Sequence, residues 1–197
     1  MSIGNYSTSE VSQLKFTSAM VSGKNVTFMA FLKSFSQNFT SEWSTETVYG
    51  RNDPIAMFRG TTRNLSLGWT VPAGNLEDSK SNLEKFESLT QMIYPNYGAE
   101  AKSNSSTNAL VITKTPLIRL KFANLINDSA GAQSDGLLGY ITSLSWNPVL
   151  DMGMFTEETT KLYPKVFDLD IQFGVLHEHD LGFVNGSFRT KKFPFGG

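Results

Sequence analysis

The chain has 197 residues, 40% hydrophobic and only 18% charged, with a formal net charge of -1 and no cysteine. That length suits one domain, 1–197, with a sizeable core; the near-zero charge offers no basic field to a nucleic-acid backbone or an anionic membrane. The missing cysteine excludes disulfides, thiolate metal sites and cysteine nucleophiles, and the low charge, against about 25% in ordinary soluble domains, implies a surface partly covered by partners.

Residues 1–12 are polar and aperiodic and read as an N-terminal arm. They have neither the basic nor the apolar region of a signal peptide, and no run of roughly 18 apolar residues follows, so the chain is expected to be neither secreted by that route nor membrane-spanning. Asn-X-Ser/Thr triplets begin at Asn5, Asn25, Asn38, Asn64, Asn104, Asn127 and Asn185; without a signal peptide they follow from a composition rich in Ser, Thr and Asn. Val26 to Lys33 is apolar on both faces and predicts a strand buried on two sides. At Val48–Ile55 the Asp53-Pro54 pair sets a tight bend, and Arg51 and Arg59 are placed to hold carboxylates across a junction. Arg63 to Val71 alternates cleanly, with Leu65, Leu67, Trp69 and Val71 on one face.

The spacing of Leu83, Phe86, Leu89, Thr90 and Ile93 predicts one helix, roughly Leu76 to Tyr94, with Asn75 as N-cap, Glu77 and Asp78 in the first turn and Pro95 as stop. Gly98 to Asn108 is a polar linker. Leu117–Phe122 and Tyr140–Trp146 are further strands, and Val166–His177 is a long one whose apolar odd positions oppose Asp168, Asp170 and Gln172. The C-terminal arm, 183–197, carries Phe183, Phe188, Phe193 and Phe195 among basic residues and is expected to dock on another surface. One amphipathic helix among many strands makes the class α+β, mostly β.

Little in this pattern carries chemistry. His177 and His179, two apart on a strand, point the same way as a metal pair would, but a third ligand has no sequence signal. Glu157-Glu158 and Asp168/Asp170 are carboxylate pairs without a surrounding catalytic motif, and no phosphate-binding glycine loop leads from a strand into a helix. Phe alternating with Lys in the tail has the residue types for stacking on nucleic acid, though a docking tail explains it more simply. The chain is therefore expected not to be an enzyme and to carry no metal or cofactor.

Val48-Tyr49-Gly50-Arg51-Asn52-Asp53-Pro54-Ile55, Phe58-Arg59-Gly60-Thr61-Thr62-Arg63 leading into the alternating strand, the helix ending in Met92-Ile93-Tyr94-Pro95-Asn96-Tyr97, the Thr115–Arg119 strand and the Val175–Glu178 strand end together resemble the baseplate hub and tail-tube initiator proteins of tailed bacteriophages, over roughly Val26 to Phe183. The resemblance implies a tail-tube-like β-sandwich or barrel with one flanking helix. It implies a virion protein, assembled in the host cytoplasm, whose copies form a ring, commonly a hexamer, at the distal tube or baseplate hub. Its partners would be itself, the tail tube protein, and hub, spike, wedge or sheath proteins, with DNA only passing through the channel. On that reading Arg51, Asp53, Arg59, Phe188, Phe193 and Phe195 are junction contacts, and Asp168, Asp170 and Gln172 face the channel, where an acidic wall would repel phosphate. A tail tube or terminator subunit is the nearest alternative. A glycan- or receptor-binding β-sandwich using Trp43, Tyr49, Tyr97 and Trp146 is another, and a metal enzyme at His177 and His179 a third.

Overall fold

The computed structural model describes residues 13–29, 31–97, 112–127, 136–157, 160–178 and 181–188. The whole expected N-terminal arm, the C-terminal arm beyond Phe188, the polar linker, Glu158, His179, Phe193 and Phe195 lie outside that set. In chain order the elements are β1 (Gln13–Ser18), β2 (Asn25–Met29), β3 (Phe31–Glu46), β4 (Ile55–Pro72), α1 (Leu76–Ile93), β5 (Asn96–Tyr97), β6 (Ile112–Lys114), β7 (Ile118–Phe122), β8 (Leu137–Pro148), β9 (Met154–Glu157), β10 (Lys161–Pro164), β11 (Val166–Val175), β12 (Phe183–Val184) and β13 (Ser187–Phe188). The class is α+β, mostly β.

Seven strands form one antiparallel sheet in the order β2-β1-β7-β8-β11-β4-β3, and three two-stranded pairs, β5/β6, β9/β10 and β12/β13, decorate it. Alternation decides which side chains enter the core. Leu14 and Phe16 of β1, Leu65, Leu67 and Trp69 of β4, Ile118 and Leu120 of β7, and Phe167, Leu169, Ile171 and Phe173 of β11 are all buried.

The sheet is rolled. β2 and β3 stand at opposite ends of the strand order, yet Met29 and Phe31 are two positions apart and so at most about 7 Å from each other. The interior agrees, because the Trp69 ring lies 5.9 Å from that of Phe16 and 5.8 Å from that of Phe28. In a flat sheet four strand spacings, roughly 19 Å, would separate β4 from β1. Of the two architectures expected, the barrel-like one forms.

α1 closes the core with Leu89 and Met92 buried, Leu83 and Phe86 half-buried, and the Phe86 ring stacked on Trp146 at 5.7 Å. Its start is capped as the sequence predicts: Asn75 Oδ1 accepts from the Asp78 backbone N–H at 2.7 Å. The buried Ser79 donates to the Pro164 carbonyl at 2.7 Å and ties the first turn to β10.

Two expectations are corrected. Val26–Lys33 is not one strand buried on both faces: it divides into the end of β2 and the start of β3, with Val26 and Phe28 buried but Met29 and Phe31 exposed. Here the chain passes from one free edge of the rolled sheet to the other, so only one face of β2 meets the core. The strand expected from Arg63 begins at Ile55 instead. β3 and β4 pair from Phe31↔Thr70 out to Glu46↔Ile55, whereas β11 covers β4 only over Asn64–Pro72. Beyond that point Phe39–Glu46 and Ile55–Arg63 form a two-stranded arm roughly 26 Å long.

Candidate functional site

The arm is built from ordinary hairpin chemistry. Its tip reverses at Val48–Arg51, where the Arg51 N–H donates to the Val48 carbonyl at 3.2 Å and Gly50 takes φ +83°, the third-position geometry of a type II turn. The reversal thus precedes Asp53-Pro54, and Pro54 leads into β4. Between Glu42 and Trp43 the register slips by a bulge that leaves Arg59 without a direct cross-strand partner residue; its Nη2 donates to Ser44 Oγ at 3.2 Å.

What the arm presents is apolar. Trp43 and Phe58 sit opposite each other with ring centroids 5.3 Å apart, and they remain 57% and 56% exposed. Ile55, Met57, Val48 and Tyr49 are exposed beside them. A two-stranded ribbon is marginal in water and a cluster of exposed aromatics is costly there, so this geometry suits a surface that is covered in an assembly.

The base of the arm is fixed by a residue that looked, in the sequence, like an ordinary strand start. Arg63 is 2% exposed. Its Nη2 donates to Gln37 Oε1 at 2.9 Å, its guanidinium lies 5.5 Å from the Phe39 ring, and burial pushes its pKa down. Alternation places Arg63 on the same face as Leu65 and Leu67, but that this face is still covered at the base of the arm depends on strands that meet only after folding.

Asp168, Asp170 and Gln172 share the sheet face opposite the core. On β4 they stand beside Thr70, Gly68 and Ser66, and on β8 beside Asn147, Ser145 and Ser143, which makes a face of small polar side chains. It is less acidic than the sequence suggests: Lys33 Nζ lies 2.6 Å from Asp168 Oδ2, and Thr70 Oγ1 donates to Asp168 Oδ1 at 2.7 Å. Chiefly the Lys33 hydrogen bond, with help from Thr70, holds the Asp168 carboxyl below the usual carboxylate range.

The other candidates are scattered. Arg51, Asp53 and Arg59 all belong to the arm, whereas Phe188 pairs with Phe183 across β12/β13, rings 4.5 Å apart and each 68% exposed. Trp146 faces α1, Tyr97 is on β5, and Trp43 and Tyr49 are on the arm, so these four aromatics make no common platform. Glu178, next to the exposed His177, is held by Arg119 through two bonds of 2.6 and 2.7 Å. Glu157 is paired with Lys80 and accepts from the Tyr163 hydroxyl at 3.2 Å; the Lys80 hydrogen bond is the main cause of its lowered pKa. Among the described residues no group of three or more His, Asp or Glu is gathered to hold a metal ion, and no helix is long and apolar enough to cross a membrane.

No family model matches this chain, and no curated protein does. Among solved structures it is similar to a chain in the tail of an empty GTA particle, computed with helical refinement and C6 symmetry, at 12% identity and a TM-score of 0.32, covering 89% of this chain and 98% of that one. A likeness at that score fixes neither fold nor role.

Proposed function

We propose that this protein is a structural subunit of a phage tail, forming a ring at the distal tube or baseplate hub that joins tube, hub and surrounding baseplate, and that its role is not enzymatic. The observation that carries the proposal is the β3/β4 arm, which leaves the sheet with Trp43, Met57 and Phe58 uncovered. Such an arm has little reason to exist in a solitary protein, and a ring subunit uses one to reach a neighbour. The low charge of the chain and the resemblance of its Val48–Arg63 and helix-end motifs to tail hub proteins support the same reading. In this assembly the Asp168, Asp170 and Gln172 face lines the DNA channel, a small-polar wall to which phosphate does not adhere. The glycan-binding reading is disfavoured by the dispersal of its four aromatics.

Electron microscopy of the purified protein, alone and with tail extracts, is expected to show rings of fixed stoichiometry. A monodisperse monomer under every condition overturns the proposal.

A further inference from the structure

Both edges of the rolled sheet are open among the described residues: β2 pairs only with β1, and β3 only with β4. The β2 edge runs along an open cleft of about 520 Å³ whose other wall is α1, with Ser81, Lys85 and Ser88 facing Thr27 and Met29. Val26 and Thr27, which point to opposite faces of the sheet, both line the cleft, so it is the backbone edge of β2 that opens into it. The cleft continues in both directions along the helix. Toward the N-terminus it runs past Ser81 and Lys85 to Phe31 and Pro72, and toward the C-terminus past Ser88 to Met92, Val21 and Met20. Asp78 to Met92 spans roughly 21 Å of helix, close to the length of the arm. A groove with an unpaired strand edge on one side and an apolar end accepts an added strand.

Resting on the ring reading above, we propose that this groove receives the arm of a second copy, with the free edge of β3 adding to the free edge of β2. The subunit's own arm does not reach it. β3 leaves the groove at Phe31 and, past a bulge between Leu32 and Ser34, the arm begins roughly 26 Å of strand farther on, at Phe39. The two surfaces, one per copy and unlike each other, make a head-to-tail contact, which closes into a ring when the rotation allows. The contact gives both open edges a partner and covers Trp43 and Phe58, whereas an arm-to-arm dimer would leave the β2 edge and the groove open.

The chain has no cysteine, so thiols can be placed at will. Ser44→Cys puts one on the arm, at a half-buried position, and Ser88→Cys one on the groove wall, at an exposed position. Treated with a short bismaleimide, the double variant is expected to give a ladder of covalent oligomers, and each single variant none. Cross-linking of Ser44→Cys with itself would show an arm-to-arm contact and overturn the inference. So would rings visible by electron microscopy in which the double variant does not cross-link, an outcome that leaves the ring reading standing. The absence of rings sinks both.

Discussion

Lys33 on β3 reaches across β4 to Asp168 on β11, Nζ to Oδ2 2.6 Å, so one ion pair ties three strands together on the polar face. The depressed Asp168 pKa sets the sign of its effect: the stabilisation is complete above the unfolded value of about 3.9 and is lost as pH falls through the lower folded value. With 56% of the Lys33 side chain exposed, screening keeps the pair to at most about 1 kcal/mol. Asp168→Asn is therefore expected to lower the urea midpoint slightly at pH 7 and to flatten the acid limb of stability below about pH 4. An acid limb identical to that of the parent protein would contradict this.

The helix cap gives a prediction that depends on no partner. Asn75→Ala removes the acceptor for the Asp78 N–H and should cost about 1 kcal/mol, seen as a fall of roughly 2–4 °C in Tm. Asn75→Asp keeps the acceptor and should melt close to the parent.

Trp69 fills the centre of the roll at 0% exposure, but its Nε1 has no hydrogen-bond partner among the described residues. Trp69→Ala should cost about 3–5 kcal/mol through the cavity it leaves. Trp69→Phe should cost clearly less, since it also removes a buried unsatisfied donor whose desolvation costs about 1–3 kcal/mol. Equal losses in chemical denaturation would show that the indole N–H is satisfied after all.

The arm separates stability from assembly. Replacing Trp43 and Phe58 together by Ser deletes one exposed cross-strand pair, worth roughly 0.2–1 kcal/mol, so the thermal midpoint of the dispersed subunit should barely move. Rings should nevertheless disappear from micrographs. Normal rings from this double variant would remove the arm from the interface.

The strands were legible where one face alone meets the core, as in β11, where Phe167, Leu169, Ile171 and Phe173 alternate with Asp168, Asp170 and Gln172. The helix was legible to within a residue at both ends because Asn75 and Pro95 act on the backbone beside them. The β9/β10 hairpin was not legible. Its four-residue strands are too short to show a period, and what fixes it, Glu157 on Lys80 and Pro164 on Ser79, comes from α1 some 80 positions away. The candidate site was half legible: a reversal near Arg51 and Arg59 was visible, but its place at Val48–Arg51, ahead of Asp53-Pro54, and the length and isolation of the arm were not.

By itself, then, the sequence determined the faces of the strands, the caps of the one helix, the composition of the polar sheet face and the absence of thiol chemistry, all of which depend on neighbours a few residues apart. Tertiary structure decided that the sheet rolls until Trp69 meets Phe16, that Arg63 is buried, that β11 stops short of the β3/β4 tip, and that β2 is left with an open edge beside α1. Those features depend on which strands pair and where each pairing ends, and long-range register is set by the fit of the whole core and not by any local period.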